Sequence, residues 1–205
     1  MSVKVKICGL TNLPDAQAAV AAGADLLGFI FAEKSPRRVT VEAAAAIARE
    51  VPAHILKVGV FVNPTEDLVQ HALRECGLGL LQFHGEEPPE FCTGFGVMNM
   101  KAFRIRDERS LLALPHYTTD AWLLDTYSEK QAGGTGQTFN WELAVAAKKH
   151  GRPIFLAGGL TPENVTEAVR RVQPFAVDVS SGVESAPGRK DHDKVGAFIR
   201  AAKAA

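Results

Sequence analysis

Short apolar runs alternate with alanine- and leucine-rich stretches along the whole chain. At the start, Val3, Val5 and Ile7 alternate with Lys4 and Lys6, a strand pattern that ends at Cys8 and breaks at Gly9. The same reading predicts strands over 3–8, 25–31, 54–62, 79–83, 97–103, 121–125, 153–157 and 175–179. Helices are predicted near 15–22, 41–50, 65–76, 88–93, 107–114, 141–149, 162–172 and 191–203. Pro14 suits the first turn of the first helix, because its missing N–H costs nothing there. Asn63-Pro64 and Thr161-Pro162 each offer a capping side chain before a first-turn proline. The strands read as nearly continuous hydrophobic runs (LLGFIF, VGVFV, WLLD, IFLA), the pattern of parallel strands covered by helices. Eight βα units in succession predict a closed (β/α)8 TIM barrel over 1–205 as a single domain. An open doubly wound sheet is the alternative, but no G-x-G-x-x-G follows the first strand.

Composition narrows the class without naming a function. The 205 residues are 46% hydrophobic and 22% charged, and one core suffices for that length. Lys+Arg and Asp+Glu are both 23, so no basic excess points to a nucleic acid or a membrane surface. The first strand begins almost at Met1, which leaves no room for a signal peptide, and no apolar run is long enough to span a bilayer. Cys8, Cys76 and Cys92 are odd in number and lack metal-ligand spacing, so a reduced cytoplasmic protein with no metal is expected.

In such a barrel, function collects where the strands end. Cys8 lies between a strand end and a helix start. That position suits a tuned, reactive thiol, but also a small buried hydrophobe, the commoner fate of free cysteine. LAGGLTPEN and VDVSSGVE couple strand ends seven and eight to small residues. Gly158, Gly159, Ser180, Ser181 and Gly182 are therefore candidates for holding a phosphate, against the plainer reading of tight turns. Asp125 follows four apolar residues, and desolvation there would favour a proton donor; a loop-bonding aspartate is the alternative. The glycine-rich 133–136 stretch beyond it could close over a ligand. Of Arg37 and Arg38, one could reach inward as a fork for a carboxylate while the other stays on the surface. His84 is a ligand contact or a satisfied buried histidine. Asp178 interrupts an apolar strand, so it should be paired if buried, whether it anchors a substrate hydroxyl or organises the barrel mouth.

These residues together resemble the phosphoribosylanthranilate isomerase family of tryptophan biosynthesis. The matching blocks are KICGLTN, GADLLGFIFAEKSPRRV, VGVFVN, QFHGEE, LLDT, GGTGQTFNW, LAGGLTPENV and PFAVDVSSGVESAPGRKD, in consistent order from end to end. Phe83 stands where the family commonly has Leu, and Asn140 where Asp is common. The resemblance implies a cofactor-free Amadori rearrangement of N-(5′-phosphoribosyl)anthranilate to 1-(2-carboxyphenylamino)-1-deoxyribulose 5-phosphate. It further implies Cys8 as general base, Asp125 as general acid, Arg37 on the substrate carboxylate, and the 158–159 and 180–182 loops on the phosphate. His84 and Asp178 are expected among the substrate contacts. The partner expected is a small phosphorylated molecule, not nucleic acid or membrane, with the chain acting as a monomer or homodimer. Two other readings stand beside this one: another phosphosugar isomerase on the same barrel, and a non-catalytic phosphate-ligand binder with Cys8 as a redox-responsive thiol.

Overall fold

The computed structural model describes residues 2–125 and 141–205. Eight parallel strands close into a barrel in chain order: β1 (Lys4–Cys8), β2 (Leu26–Ile30), β3 (Leu56–Phe61), β4 (Leu80–Phe83), β5 (Met98–Arg104), β6 (Ala121–Asp125), β7 (Ile154–Ala157) and β8 (Ala176–Val179). Helices α1 (Leu13–Ala21), α2 (Val41–Arg49), α3 (Glu66–Cys76), α4 (Pro89–Cys92), α5 (Trp141–Ala147), α6 (Val165–Val172) and α7 (His192–Lys203) lie between and after them. Among the described residues no helix is long and apolar enough to cross a membrane.

Several helix starts differ from the sequence expectation. α1 begins at Leu13, two residues early, because the Asn12 side chain accepts from Asp15 N at 2.9 Å. Thr65, not Asn63, caps α3. Asn63 has a positive φ of 47°, and its side chain instead accepts from Glu86 N in the β4–α4 loop. Thr161-Pro162 does not open α6: Thr161 Oγ1 accepts from Glu163 N within a turn, and the helix starts only at Val165. The segment expected as a helix near 107–114 is a 3-10 helix over Glu108–His116, closed at its start by a reciprocal Asp107–Ser110 capping box.

The barrel wall separates two cores. Outside it, residues such as Val5, Ile7, Leu27, Phe29 and Leu81 pack against the helices. Inside, Leu26, Val58, Leu80, Met100, Leu123, Phe155 and Ala176 fill the axis. Side chains alternate across each strand, so the position two residues after an inward apolar one also faces inward. Advancing two residues from Leu26, Leu80, Leu123 and Ala176 gives Gly28, Gln82, Asp125 and Asp178. The interior thus changes from apolar to polar towards the C-terminal ends of the strands.

After β8, the chain adds an element absent from the sequence expectation: a two-stranded hairpin, β9 (Glu184–Ala186) with β10 (Arg189–Lys190). It is pinned across the start of the barrel by Thr11 Oγ1 to Gly188 O at 2.6 Å and by Lys190 N to Asp15 Oδ2 at 2.8 Å.

Candidate active site

The candidate catalytic and binding residues Cys8, Arg37, His84, Asp125, Gly158, Gly159, Asp178, Ser180, Ser181 and Gly182 all lie at the C-terminal mouth or in its loops. Three groups of contacts organise it. The first is on β1 and β8. Cys8 is buried, and Lys6, two residues earlier on the same strand, has no exposed side-chain surface. Lys6 Nζ donates to Asp178 Oδ1 at 3.0 Å, which answers the expectation that Asp178 be paired. Burial pushes the Cys8 thiol up from its ordinary range. Lys6 and Lys190 pull it down and Asp178 reinforces the rise, but burial prevails. Lys6 is held above the ordinary lysine range: burial opposes its charge, yet Asp178 and Cys8 outweigh the burial.

The second group joins β4 to β6. His84 Nε2 lies 3.3 Å from Asp125 Oδ2, while its Nδ1 lies 3.1 Å from Gln82 Nε2. The Gln82 amide nitrogen can only donate, so Nδ1 accepts from it and Nε2 is left facing the Asp125 carboxyl group. Asp125 is less enclosed than its apolar neighbours suggested: its side chain is 23% exposed at the strand end. The 133–136 stretch that follows lies outside the described residues.

The third group is the hairpin's contribution. Arg37 turns inward, as one of the two arginines was expected to, while Arg38 stays on the surface. The Arg37 guanidinium forks onto Glu184, Nε to Oε1 at 2.8 Å and Nη2 to Oε2 at 2.7 Å. Lys190 Nζ reaches Glu184 Oε1 at 3.0 Å and Ser180 O at 3.1 Å. Burial disfavours the Glu184 charge, but Arg37 and Lys190 overcome it and hold the carboxyl below its usual range. Sequence reasoning missed Lys6, Glu184 and Lys190. The Pro187-Gly188 turn signal between two short polar runs was the one cue that could have revealed the hairpin, but nothing local marked its partners.

The two small-residue loops meet beside these groups. Gly158 and Gly159 both have positive φ, 86° and 64°. Asn164 ties the first loop together: its side chain donates to Gly159 O and accepts from Thr161 N. Gly182 is required by the second loop, because a Cβ there would overlap the Leu160 carbonyl. The Ser180 Oγ is buried and has no hydrogen-bond partner among the described residues.

A wide apolar cavity of about 560 Å³ opens at the other end of the barrel, walled by Leu26, Leu56, Leu80, Phe155 and Phe175. Its rim charges pair with one another, Asp25 with both Lys4 and Lys203. Active sites of this fold class sit at the opposite face.

The other two cysteines stand apart from the mouth. Cys76 and Cys92 are buried on α3 and α4, and burial pushes their thiols up to about 11 and about 12. Alanine at either position is expected to leave kcat unchanged. A fall in kcat of either folded variant would place a functional thiol outside the mouth.

A closed parallel barrel whose mouth joins a thiol, a carboxyl, an inward arginine and two tight small-residue loops defines a (β/α)8-barrel enzyme equipped for acid–base chemistry on a small anion. The family model described as N-(5′-phosphoribosyl)anthranilate (PRA) isomerase matches residues 5–201, and the chain belongs to that family. An N-(5′-phosphoribosyl)anthranilate isomerase from Geobacter sulfurreducens is 57% identical over 201 residues, covering 98% of each chain. Among solved structures, phosphoribosylanthranilate isomerase from Thermotoga maritima superposes with a TM-score of 0.92 at 44% identity, covering 99% of this chain and 100% of that one. A second solved isomerase, in complex with reduced 1-(o-carboxyphenylamino)-1-deoxyribulose 5-phosphate, gives a TM-score of 0.89 at 42% identity over 99% of this chain and 100% of that one.

Proposed function

We propose that this mouth rearranges N-(5′-phosphoribosyl)anthranilate by proton transfer alone, with Asp125 as the acid and Cys8 as the base. The observation that carries the reading is the placement of these two groups on strands three apart in the closed barrel, each with its own polar neighbour. Asp125 gives its proton to the furanose ring oxygen as the bond from C1′ to that oxygen breaks, leaving a Schiff-base cation between C1′ and the anthranilate nitrogen. The Cys8 thiolate then removes the proton from C2′, and those electrons form the C1′–C2′ double bond while the nitrogen becomes neutral. Ketonisation moves a proton to C1′. Hydrogen shifts between adjacent carbons of one molecule, so no electrons are gained or lost and the balance calls for no redox cofactor.

The same reading assigns the anion contacts. Gly158, Gly159, Ser180, Ser181 and Gly182 would hold the phosphate, where loops seven and eight of such barrels commonly do so. His84 would orient Asp125, and Asp178 would act from beside Lys6. Arg37 would meet the anthranilate carboxylate with the guanidinium edge not committed to Glu184. Arg37→Ala is then expected to weaken binding by about 1.5–3 kcal/mol, as for a charge-assisted hydrogen bond. That corresponds to about tenfold or more in KM, with Arg38→Ala nearly silent. Steady-state kinetics check this, and the reverse order would move the carboxylate site to Arg38. The enzyme would work in the cytoplasm as a monomer or homodimer; a dimeric relative from Thermotoga maritima is known.

The direct test is turnover. Phosphoribosylanthranilate supplied to the purified protein should lose its fluorescence at a rate proportional to enzyme. Tight binding of the reduced product analogue without turnover would favour the non-catalytic binder instead.

A further inference from the structure

Lys6 belongs to no role assigned so far, yet it is among the most deeply buried charges of the chain, with no exposed side-chain surface. Its ammonium donates to Asp178, a residue 172 positions away, whose side chain is itself 9% exposed. Lys6 and Cys8 both project inward from β1, and β2 sets Gly28 in register with Cys8. A Cβ on Gly28 would lie 2.9 Å from Cys8 Sγ and 3.2 Å from Lys6 Nζ. The backbone of Gly28 has ordinary strand geometry, so the glycine answers to space rather than to conformation. The thiol and the ammonium thus share one small chamber that any larger residue would fill.

We propose that Lys6 is the positioning residue of the thiol, its ammonium held by Asp178 and given room by Gly28, and that this pair sets how readily Cys8 becomes a thiolate. The proposal rests on the reading of Cys8 as the base. The groups facing Cys8 are Lys6 on its own strand, Asp178 from β8, Lys190 from β10 and Arg37 from the loop after β2. Glu184 takes up the charge of both Arg37 and Lys190. From β2 comes space and no charge. A buried thiolate without a nearby cation is costly, and Lys6 supplies that cation from the same strand. Asp178 keeps Lys6 charged but lies close enough to oppose the thiolate, so the two residues act on Cys8 with opposite sign.

That opposition gives the test. The rate of Cys8 alkylation by iodoacetamide, an uncharged reagent, is followed against pH in the Cys76→Ala, Cys92→Ala background without ligand. Lys6→Met is expected to move the midpoint up by about one pH unit or more, and Asp178→Asn to move it down. Gly28→Ala, which changes no charge, is expected to lower kcat more than it raises KM as the chamber is crowded. Midpoints that stay put, or that move the same way in both charge variants, overturn the proposal. Should Lys6→Met not fold, Asp178→Asn decides alone, and a midpoint that does not fall overturns it. Failure of the underlying reading looks different: Cys8→Ser would keep its turnover while the alkylation midpoints still moved.

Discussion

Cys8→Ser should lose at least about 10²-fold in kcat, the low end of what general acid–base catalysis contributes, while the reduced product analogue binds nearly as before. The substitution is gentle on structure. A hydroxyl is smaller than a thiol, so the chamber against Gly28 accepts it, and the Lys6–Asp178 contact at 3.0 Å does not involve the sulfur. What changes is acidity. A serine hydroxyl stays protonated throughout the working range, so nothing at that position accepts the C2′ proton. The pH profile should report the same group. A base acts only when unprotonated, so activity rises with pH as the thiol ionises, and burial places that rise above the ordinary thiol range. The rising limb should vanish in Cys8→Ser. A thiol-alkylating reagent should inactivate the wild-type enzyme and saturating ligand should protect it. Wild-type kcat with an unchanged pH profile in the serine variant would reduce Cys8 to a packing residue.

The strands and their closure were legible because a parallel barrel wall is apolar on both faces, and eight such runs separated by helical stretches admit few other arrangements. The polar groups of the candidate site were legible where one interrupts such a run, as at Asp125 and Asp178. Lys6 was hidden by the same logic. In a strand alternating Val3, Val5 and Ile7 with Lys4 and Lys6, both lysines look like a solvated face. Only closure of the barrel turns Lys6 inward while Lys4 remains half exposed at the rim. The partner that makes Lys6 tolerable comes from β8, and no local pattern reports a pair that far apart. Arg37 shows a subtler limit. Its inward turn was foreseen, but its bidentate pairing with Glu184 depends on the hairpin after β8, whose strands of three and two residues carry no periodicity to read. Helix starts failed where a capping residue had a stronger competing partner, as Asn63 has in the Glu86 amide.

The acid should be as exposed to substitution as the base. Asp125 stands at the end of β6 in register with Arg104 and Ala157, its carboxyl partly open to the mouth and 3.3 Å from His84 Nε2. Asp125→Asn keeps the shape of the side chain, and its amide oxygen can still accept from the His84 ring proton, so the β4–β6 contact survives. An amide has no acidic proton to deliver, however, and the furanose oxygen must then leave as an unprotonated alkoxide. A kcat lower by about 10²-fold or more is expected, with analogue binding retained. Asp125→Asn should keep the rising limb that belongs to Cys8 in whatever activity remains. His84→Gln provides the control for orientation: it removes the ring contact but leaves the acid, so kcat should fall less than in Asp125→Asn. Near-normal turnover in a folded Asp125→Asn enzyme would show that ring opening draws its proton from elsewhere, and His84 would be the first group to examine.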